Sequence, residues 1–331
     1  CLVTGGAGYI GSHVAWQLIE AGHEVVVLDN LSMGHRWAVP SGATLVEGNV
    51  GDVATLEKVF TEHKIDAVLH FAAAIEVPES VEQPIEYYRN NTLSALNLFD
   101  TANRFDVQKI VFSSTAAAYG ETGGEPISES TPVMPVNPYG RSKVFSENIL
   151  RDLADSTGGK LRYVILRYFN VAGARLDLKI GQARPKPFHL INLAAEAAIG
   201  LRASLSVFGN DYPTPDGTCL RDYIHVEDLA DAHLKALKYL DDGGQSDLFN
   251  VGYGKPYSVH EVINAMKKAS GVDFKVEAKP RRAGDPAAII ADSSKLKSTL
   301  NWHPKYNDMN IICKTALDWE RKYRAEGLDK K

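Results

Sequence analysis

The stretch Val3-Thr4-Gly5-Gly6-Ala7-Gly8-Tyr9-Ile10-Gly11-Ser12, followed by Val25-Val26-Val27-Leu28-Asp29, decides how this chain folds. A short apolar run leads straight into glycines at Gly5, Gly8 and Gly11, and a helical pattern follows them. Glycine at these positions permits a tight turn, close approach of backbone N–H groups to a pyrophosphate, and close helix–strand packing. The N-terminus of the following helix adds partial positive charge for phosphates. Asp29 ends the second apolar run, where a carboxylate accepts from both hydroxyls of an adenosine ribose and repels a 2′-phosphate. The reading is therefore a dinucleotide site that takes NAD rather than NADP. An ordinary turn with a capping aspartate is the competing reading, and the strand–turn–helix context weighs against it.

Working outward, residues 67–71, 109–113 and 163–167 are short, continuous and apolar, as parallel strands buried on both faces are. Between them lie helical patterns over 12–21, 53–63, 84–104 and 138–155. Such alternation predicts an α/β fold with a doubly wound parallel sheet. Past Asn170 the texture changes: residues 173–187 are rich in Gly, Pro and charge, and 210–221 are dense in turn formers. Helical patterns return over 190–200, 226–240, 258–270 and 311–323. These features predict a division into residues 1–170, a nucleotide-binding domain, and 171–331, a smaller mixed α/β substrate-binding region. The boundary is not clean, because segments near 220–250 are expected to return to the sheet. The opening Cys1-Leu2-Val3-Thr4 reads as a strand already under way, so residues ahead of it are expected to have been trimmed.

Composition narrows the partners. With 36 Lys+Arg against 41 Asp+Glu, the net charge of −5 argues against a nucleic-acid binder with a broad basic face. No apolar run approaches the roughly 20 residues of a membrane span. Cys1, Cys219 and Cys313 show no CxxC spacing, so neither a disulfide framework nor a thiolate metal site is expected, and a reducing, cytoplasmic setting is.

A second motif carries chemistry. Tyr139-Gly140-Arg141-Ser142-Lys143 places a phenol and an ammonium four residues apart, on one face of a helix that Pro138 is suited to start. A free phenol is a poor base at neutral pH, with a pKa near 10. A nearby Lys⁺ and an oxidised nicotinamide would both stabilise its phenolate. Ser113-Ser114-Thr115 closes the preceding strand, where hydroxyls are expected to point at the cofactor. A hydroxyl, a tyrosine and a lysine suffice to move a proton on and off a carbinol oxygen.

Taken with further stretches, these motifs resemble the extended short-chain dehydrogenase/reductases, whose dinucleotide fold is Rossmann-type. The likeness runs nearly end to end: VTGGAGYIGSH from Val3, DNLS from Asp29, HFAA from His70, YYRNN from Tyr87, FSST from Phe112, NPYGRSK from Asn137, VFGNDYPTPDGT from Val207, RDYIHVEDLADAH from Arg221 and RRAGD from Arg281. Within that family, RYFN from Arg167 and the 207–225 stretch are similar to the group that interconverts UDP-glucose and UDP-galactose at C4. The resemblance implies reversible C4 epimerisation of a UDP-sugar, by transient hydride transfer to tightly bound NAD and rotation of a 4-keto sugar, in a homodimer joined through the 84–104 and 138–155 helices.

The same resemblance assigns residues. Gly5, Gly8, Tyr9, Ile10 and Gly11 fall at the pyrophosphate, Asp29 and Asn30 at the ribose, and Asp52 with Val53 at the adenine. Phe71, Ala72, Ala73, Asn90 and Phe169 line the cofactor. Thr115, Tyr139 and Lys143 match the catalytic hydroxyl, base and lysine, the last two also touching cofactor. For the UDP-sugar, Asn170, His189, Val207, Phe208, Arg221, Arg282 and Asp285 match contact positions, Thr115 reaches the sugar, and Ile289 falls where side-chain size limits the C2 substituent. No metal is implied. Asp52 precedes a helix and reads equally as an N-cap, and His189 and Ile289 read also as structural.

Departures sharpen the expectation. Ile75 stands where many relatives carry a lysine near the cofactor phosphates, and Glu76 adds negative charge. Ala116-Ala117-Ala118 follows Thr115 without a carboxyl, so removal of a proton at C5, as in dehydratases, has no agent. The alternatives are an epimerase of UDP-xylose/UDP-arabinose or UDP-glucuronate, a related sugar-nucleotide oxidoreductase, or a non-catalytic NAD sensor.

Overall fold

Apolar, β-branched runs alternate with amphipathic helices, and in the computed structural model each run becomes a strand of one sheet. The structure describes residues 1–282 and 285–328; Ala283 and Gly284, inside the Arg282–Asp285 segment, lie outside them. The strands are β1 (Leu2–Thr4), β2 (Val26–Asp29), β3 (Thr44–Glu47), β4 (Val68–His70), β5 (Lys109–Thr115), β6 (Arg162–Tyr168), β7 (Asn170–Ala172), β8 (Leu205–Phe208), β9 (Leu220–His225), β10 (Asp247–Val251), β11 (Pro256–Ser258), β12 (Val276–Lys279) and β13 (Ala288–Ile289). Seven pair in parallel in the order β10-β6-β5-β4-β1-β2-β3. The fold is the α/β Rossmann-type architecture that the sequence predicts.

Neighbouring residues of a strand face opposite sides of the sheet. Val3, Val27 and Leu69 therefore enter one core with Val14 and Leu18, while Leu2, Leu28 and Val68 enter another with Leu56 and Phe99. From β1 the chain runs outward to β2 and β3, then returns to the other side of β1 at β4. Strand order thus reverses between β1 and β4, and a crevice opens beyond their carboxyl ends.

The Pro138–Ser156 helix is started by Asn137, whose Oδ1 accepts from Gly140 N–H at 2.8 Å, with Pro138 in the first turn. The 84–104 pattern does not form one helix. It divides into Pro84–Tyr87, a π-helical turn Tyr88–Leu93, and Ser94–Arg104. π turns occur often at functional sites. Here the turn carries buried Asn91, which accepts from Ala74 N–H at 2.8 Å and donates to Ala74 O and Ser142 Oγ at 3.0 Å each. A periodicity count sees apolar spacing but not a polar side chain recruited inward.

Beyond β6, β11-β9-β13 form a small sheet with β7 beside β9, and β8 pairs with β12. Buried Asp222 accepts the backbone N–H groups of Tyr253, Gly254 and Ala291. That carboxylate fastens β9 to the segments following β10 and β13, and so fixes Arg221 and Ile289, which face each other in the β9–β13 register. Among the described residues, no helix is long and apolar enough to cross a membrane, and no cluster suited to a metal ion is found.

Candidate active site

The crevice floor is the glycine turn. Gly5 has φ +68°, a region that side-chain-bearing residues rarely adopt. A Cβ there would stand 2.7 Å from Ala72 N, and a Cβ on Gly11 would stand 2.3 Å from Gly5 O. Both contacts would push the turn off β4 or the helix off the turn. Gly8 caps the Tyr9–Glu20 helix, whose first turn holds no acidic residue to neutralise its positive end. Asp29 is buried at the tip of β2, accepting from Ala7 N–H at 3.0 Å and Leu31 N–H at 2.8 Å. A backbone cradle that side chains would fill, an uncompensated helix end and a ribose-type carboxylate together fit a dinucleotide.

The rim of the crevice is more varied. Tyr9 donates its hydroxyl to Gly173 O at 2.6 Å, while Ile10 packs into the core. Exposed Asn30 accepts from Ser32 N–H and Oγ. Asp52 caps the Val53–Glu62 helix, accepting from Ala54 N–H, Thr55 N–H and Thr55 Oγ1, and these bonds lower its pKa, the Thr55 hydroxyl most. Val53 is the exposed first residue of that helix. Phe71, Ala72 and Ala73 follow β4 half-buried, the Phe71 ring 4.7 Å from that of His233. Asn90, exposed on the π turn, donates to Asn91 Oδ1 at 3.0 Å. Ile75 is partly exposed, and its neighbour Glu76 pairs with Arg184 from the 173–187 segment.

Thr115, Tyr139 and Lys143 come together at the ends of β5 and of the Pro138–Ser156 helix, each less than a tenth exposed. Thr115 Oγ1 accepts from Ala117 N–H at 3.1 Å, and its hydroxyl lies near enough to the Tyr139 phenol to favour the ionised form. Lys143 Nζ stands 4.3 Å from the centre of the Phe112 ring. Burial pushes the Tyr139 phenol above its ordinary value, against the pull of Thr115. Burial likewise pushes the Lys143 ammonium down to about 7, opposed by Glu147. The protein alone thus holds this pair towards neutrality. Near neutral pH Lys143 is only partly protonated, and the phenolate read from the motif also needs the positive charge of an oxidised nicotinamide.

Ser113 and Ser114 are tied elsewhere. Ser113 Oγ donates to His233 Nε2 at 2.7 Å, a nitrogen free to accept because Nδ1 bonds Leu229 O. Ser114 Oγ donates to Glu147 at 2.5 Å. Strand alternation turns Ser114 to the face opposite Ser113 and Thr115, where it binds Glu147, while Ser113, on the Thr115 side, is bound to His233.

On the substrate side, Arg221 is buried and pairs with Asp285, its Nη1 donating to Leu220 O at 2.8 Å. The Arg282 guanidinium lies 3.8 Å from the centre of the Phe208 ring, on the strand that also carries buried Val207. Ile289 packs with Ala116, Tyr119, Ile127, Ala291 and buried Phe169, beside the residue that follows Thr115. Asn170 stands opposite Tyr223 at the start of β7. His189 precedes the Leu190–Ala198 helix; Gln182 Nε2 and His189 Nδ1 are 3.2 Å apart, and burial beside Arg184 lowers its pKa to about 4. Sequence reading missed Glu147, Arg167, Asn91 and Arg184. Only Glu147 carries a local signal, its i+4 spacing from Lys143.

Such a pocket moves a proton at a carbinol oxygen next to a bound dinucleotide, which is the equipment of NAD-linked enzymes acting on alcohol groups. Comparison with known proteins agrees. Residues 1–252 match the NAD dependent epimerase/dehydratase family. A UDP-glucose 4-epimerase of Azospirillum brasilense is 50% identical over 320 residues, 97% of this chain and 91% of the relative. The structure of a UDP-Glc/GlcNAc 4-epimerase from Campylobacter jejuni is 51% identical with a TM-score of 0.86, covering 97% of this chain and 98% of that one. A Brucella ovis UDP-glucose 4-epimerase in complex with NAD is 44% identical with a TM-score of 0.92, covering 96% and 97%. This chain belongs to the NAD-dependent epimerase/dehydratase family.

Proposed function

We propose that this protein interconverts UDP-glucose and UDP-galactose at C4, with NAD retained in the glycine crevice through turnover. The observation that carries the reading is the buried Thr115–Tyr139–Lys143 cluster at the mouth of the β1/β4 crevice, in a family of NAD-linked epimerases. Gly5, Gly8, Gly11 and Asp29 would hold NAD, which when bound supplies the hydride acceptor for C4 and a positive charge to the neutral pocket. Tyr139 takes the proton of the 4-hydroxyl and later returns it, with Thr115 aligning the oxygen and Lys143 stabilising the phenolate. Arg221 and Arg282 suit the diphosphate through planar multi-donor contacts, and Asp285 suits ribose hydroxyls. Held by its UDP handle, the 4-keto sugar turns and presents its other face. The alanines at 116–118 leave C5 without a base, which separates this chemistry from dehydration.

Ile289 sets the tolerance for the sugar's C2 substituent. Rates on UDP-glucose are expected to exceed those on UDP-N-acetylglucosamine, with pentose substrates accepted. Substituting Ile289→Ser is expected to raise relative use of the N-acetyl sugar about tenfold or more, the scale of a few methylenes in a pocket. Equal rates of the parent protein on both sugars would overturn this role.

The protein is read as a cytoplasmic homodimer. Cys1, Cys219 and Cys313 are unpaired. Val81, Ile85, Leu93, Leu96 and Phe145 are exposed on adjoining helices, with Phe145 packed on Tyr88. An exposed apolar patch of this kind marks an interaction surface. Light scattering should report twice the chain mass for the parent and the single-chain mass for Leu96→Glu/Phe145→Glu; an unchanged mass for the double variant would exclude this face.

A further inference from the structure

Behind the catalytic cluster lies a buried ionic group that the reaction as described does not use. Glu147 sits one helical turn beyond Lys143 and is fully buried, as is Ser114, while Arg167 is almost so. The carboxylate accepts from Ser114 Oγ at 2.5 Å, from Arg167 Nε at 2.9 Å and Nη2 at 2.5 Å, and from Arg151 Nη2 at 3.0 Å. One side chain therefore joins the helix of Tyr139 and Lys143 to β5, beside Thr115, and to β6. Arg167 is itself fixed, its guanidinium 4.7 Å from the centre of the Tyr119 ring, and Tyr119 donates to Asn250 Oδ1 at 2.7 Å.

We propose that Glu147 is a positioning residue for the reaction: it holds the Tyr139/Lys143 face of the helix in register with Thr115, and its negative charge favours the protonated form of Lys143. The inference rests on the epimerase reading above. A buried carboxylate with two guanidinium partners is an arrangement whose removal leaves cations unpaired, so the chain keeps it at a cost in desolvation. Its field reaches Lys143, where it opposes the effect of burial. The other groups around the pair do not supply that charge. In the protein without NAD, Tyr139 on the same helix and Tyr168 on β6 are pushed up by burial and His70 on β4 is pushed down to about 3, so all three are neutral there, and Glu147 is the standing negative charge before the phenolate forms. Phe112 and Thr115 on β5 are uncharged, and the cations Arg151 and Arg167 bind Glu147 itself.

The test is the pH profile of kcat/KM for UDP-galactose, whose alkaline limb reports loss of the Lys143 proton. Glu147→Gln removes the charge and so lowers the Lys143 pKa, moving the limb down by about one pH unit and reducing kcat with KM unchanged. Glu147→Asp, which keeps the charge, should restore the limb. Arg151→Met, at a side chain one-third exposed, removes a cation that offsets Glu147 and should move the limb up. If Glu147→Gln does not fold, the upward shift in Arg151→Met decides alone. Limbs that coincide with the parent's in the folded variants, with only melting temperatures lowered, would leave Glu147 a purely structural residue. Failure of the parent protein to epimerise at all would refute the function and not this arrangement.

Discussion

Tyr139→Phe is expected to lower kcat by a factor of about 10²–10⁴, the usual worth of general acid–base catalysis, while leaving bound NAD in place. The substitution removes only an oxygen. The ring is more than nine-tenths buried and keeps its packing. Thr115, which faces the phenol, retains its bond from Ala117 N–H. Loss of turnover with unchanged NAD content and melting temperature would therefore isolate proton transfer from folding and cofactor binding. A Phe variant with parental activity would remove Tyr139 from the chemistry. Since the pocket alone pushes Tyr139 up and Lys143 down, the phenolate–ammonium pair is expected only in NAD-loaded protein, and a phenolate absorbance band should titrate at lower pH with NAD than without.

Gly11→Ala is expected to abolish NAD retention and, with it, turnover. The added carbon meets Gly5 O at 2.3 Å and Gly6 Cα at 3.0 Å, both backbone atoms of the turn itself, which cannot rotate aside. Either the Tyr9–Glu20 helix lifts or the turn opens, and in both cases the N–H groups that would face a pyrophosphate move. Overpacking of this kind costs about 1–3 kcal/mol, which a chain of this size should survive as a folded protein of lower melting temperature. Purified protein should carry little or no NAD. A Gly11→Ala variant that copurifies with a full complement of cofactor would show that the turn is not the cradle.

Both of these residues were legible because their chemistry depends on short spacing. A glycine turn needs strand, glycines and helix in one run, and a phenol and ammonium on one helix face need a separation of four. The parallel sheet was legible for a related reason: strands buried on both faces read as continuous apolar runs. What sequence could not show depends on partners far apart in the chain. Glu76 and Arg184 are 108 residues apart and Arg221 and Asp285 are 64 apart. Each charge looked unattached until the fold paired it. Ser113 and Ser114 illustrate a subtler limit. Their hydroxyls were placed by adjacency to Thr115, yet alternation turns Ser114 to the opposite face and Glu147, and Ser113, on the Thr115 side, is taken up by His233. The π turn at Tyr88–Leu93 arises because Asn91 finds partners on two other segments, and spacing within 84–104 contains no trace of them. Burial, finally, pushes Tyr139 up in the protein without NAD, since a motif specifies neighbours but not how much water they exclude, and the lowering read from the motif also needs the nicotinamide charge.

The most direct measurement is to give the purified protein, with no NAD added, UDP-galactose in large excess and follow both the sugar nucleotides and NADH absorbance. Formation of UDP-glucose to an equilibrium mixture, reached equally from UDP-glucose, with at most a small protein-bound NADH signal, is the expected result. NADH released in proportion to sugar consumed would mark a dehydrogenase, and an unchanged sugar in NAD-loaded protein would contradict C4 epimerisation altogether.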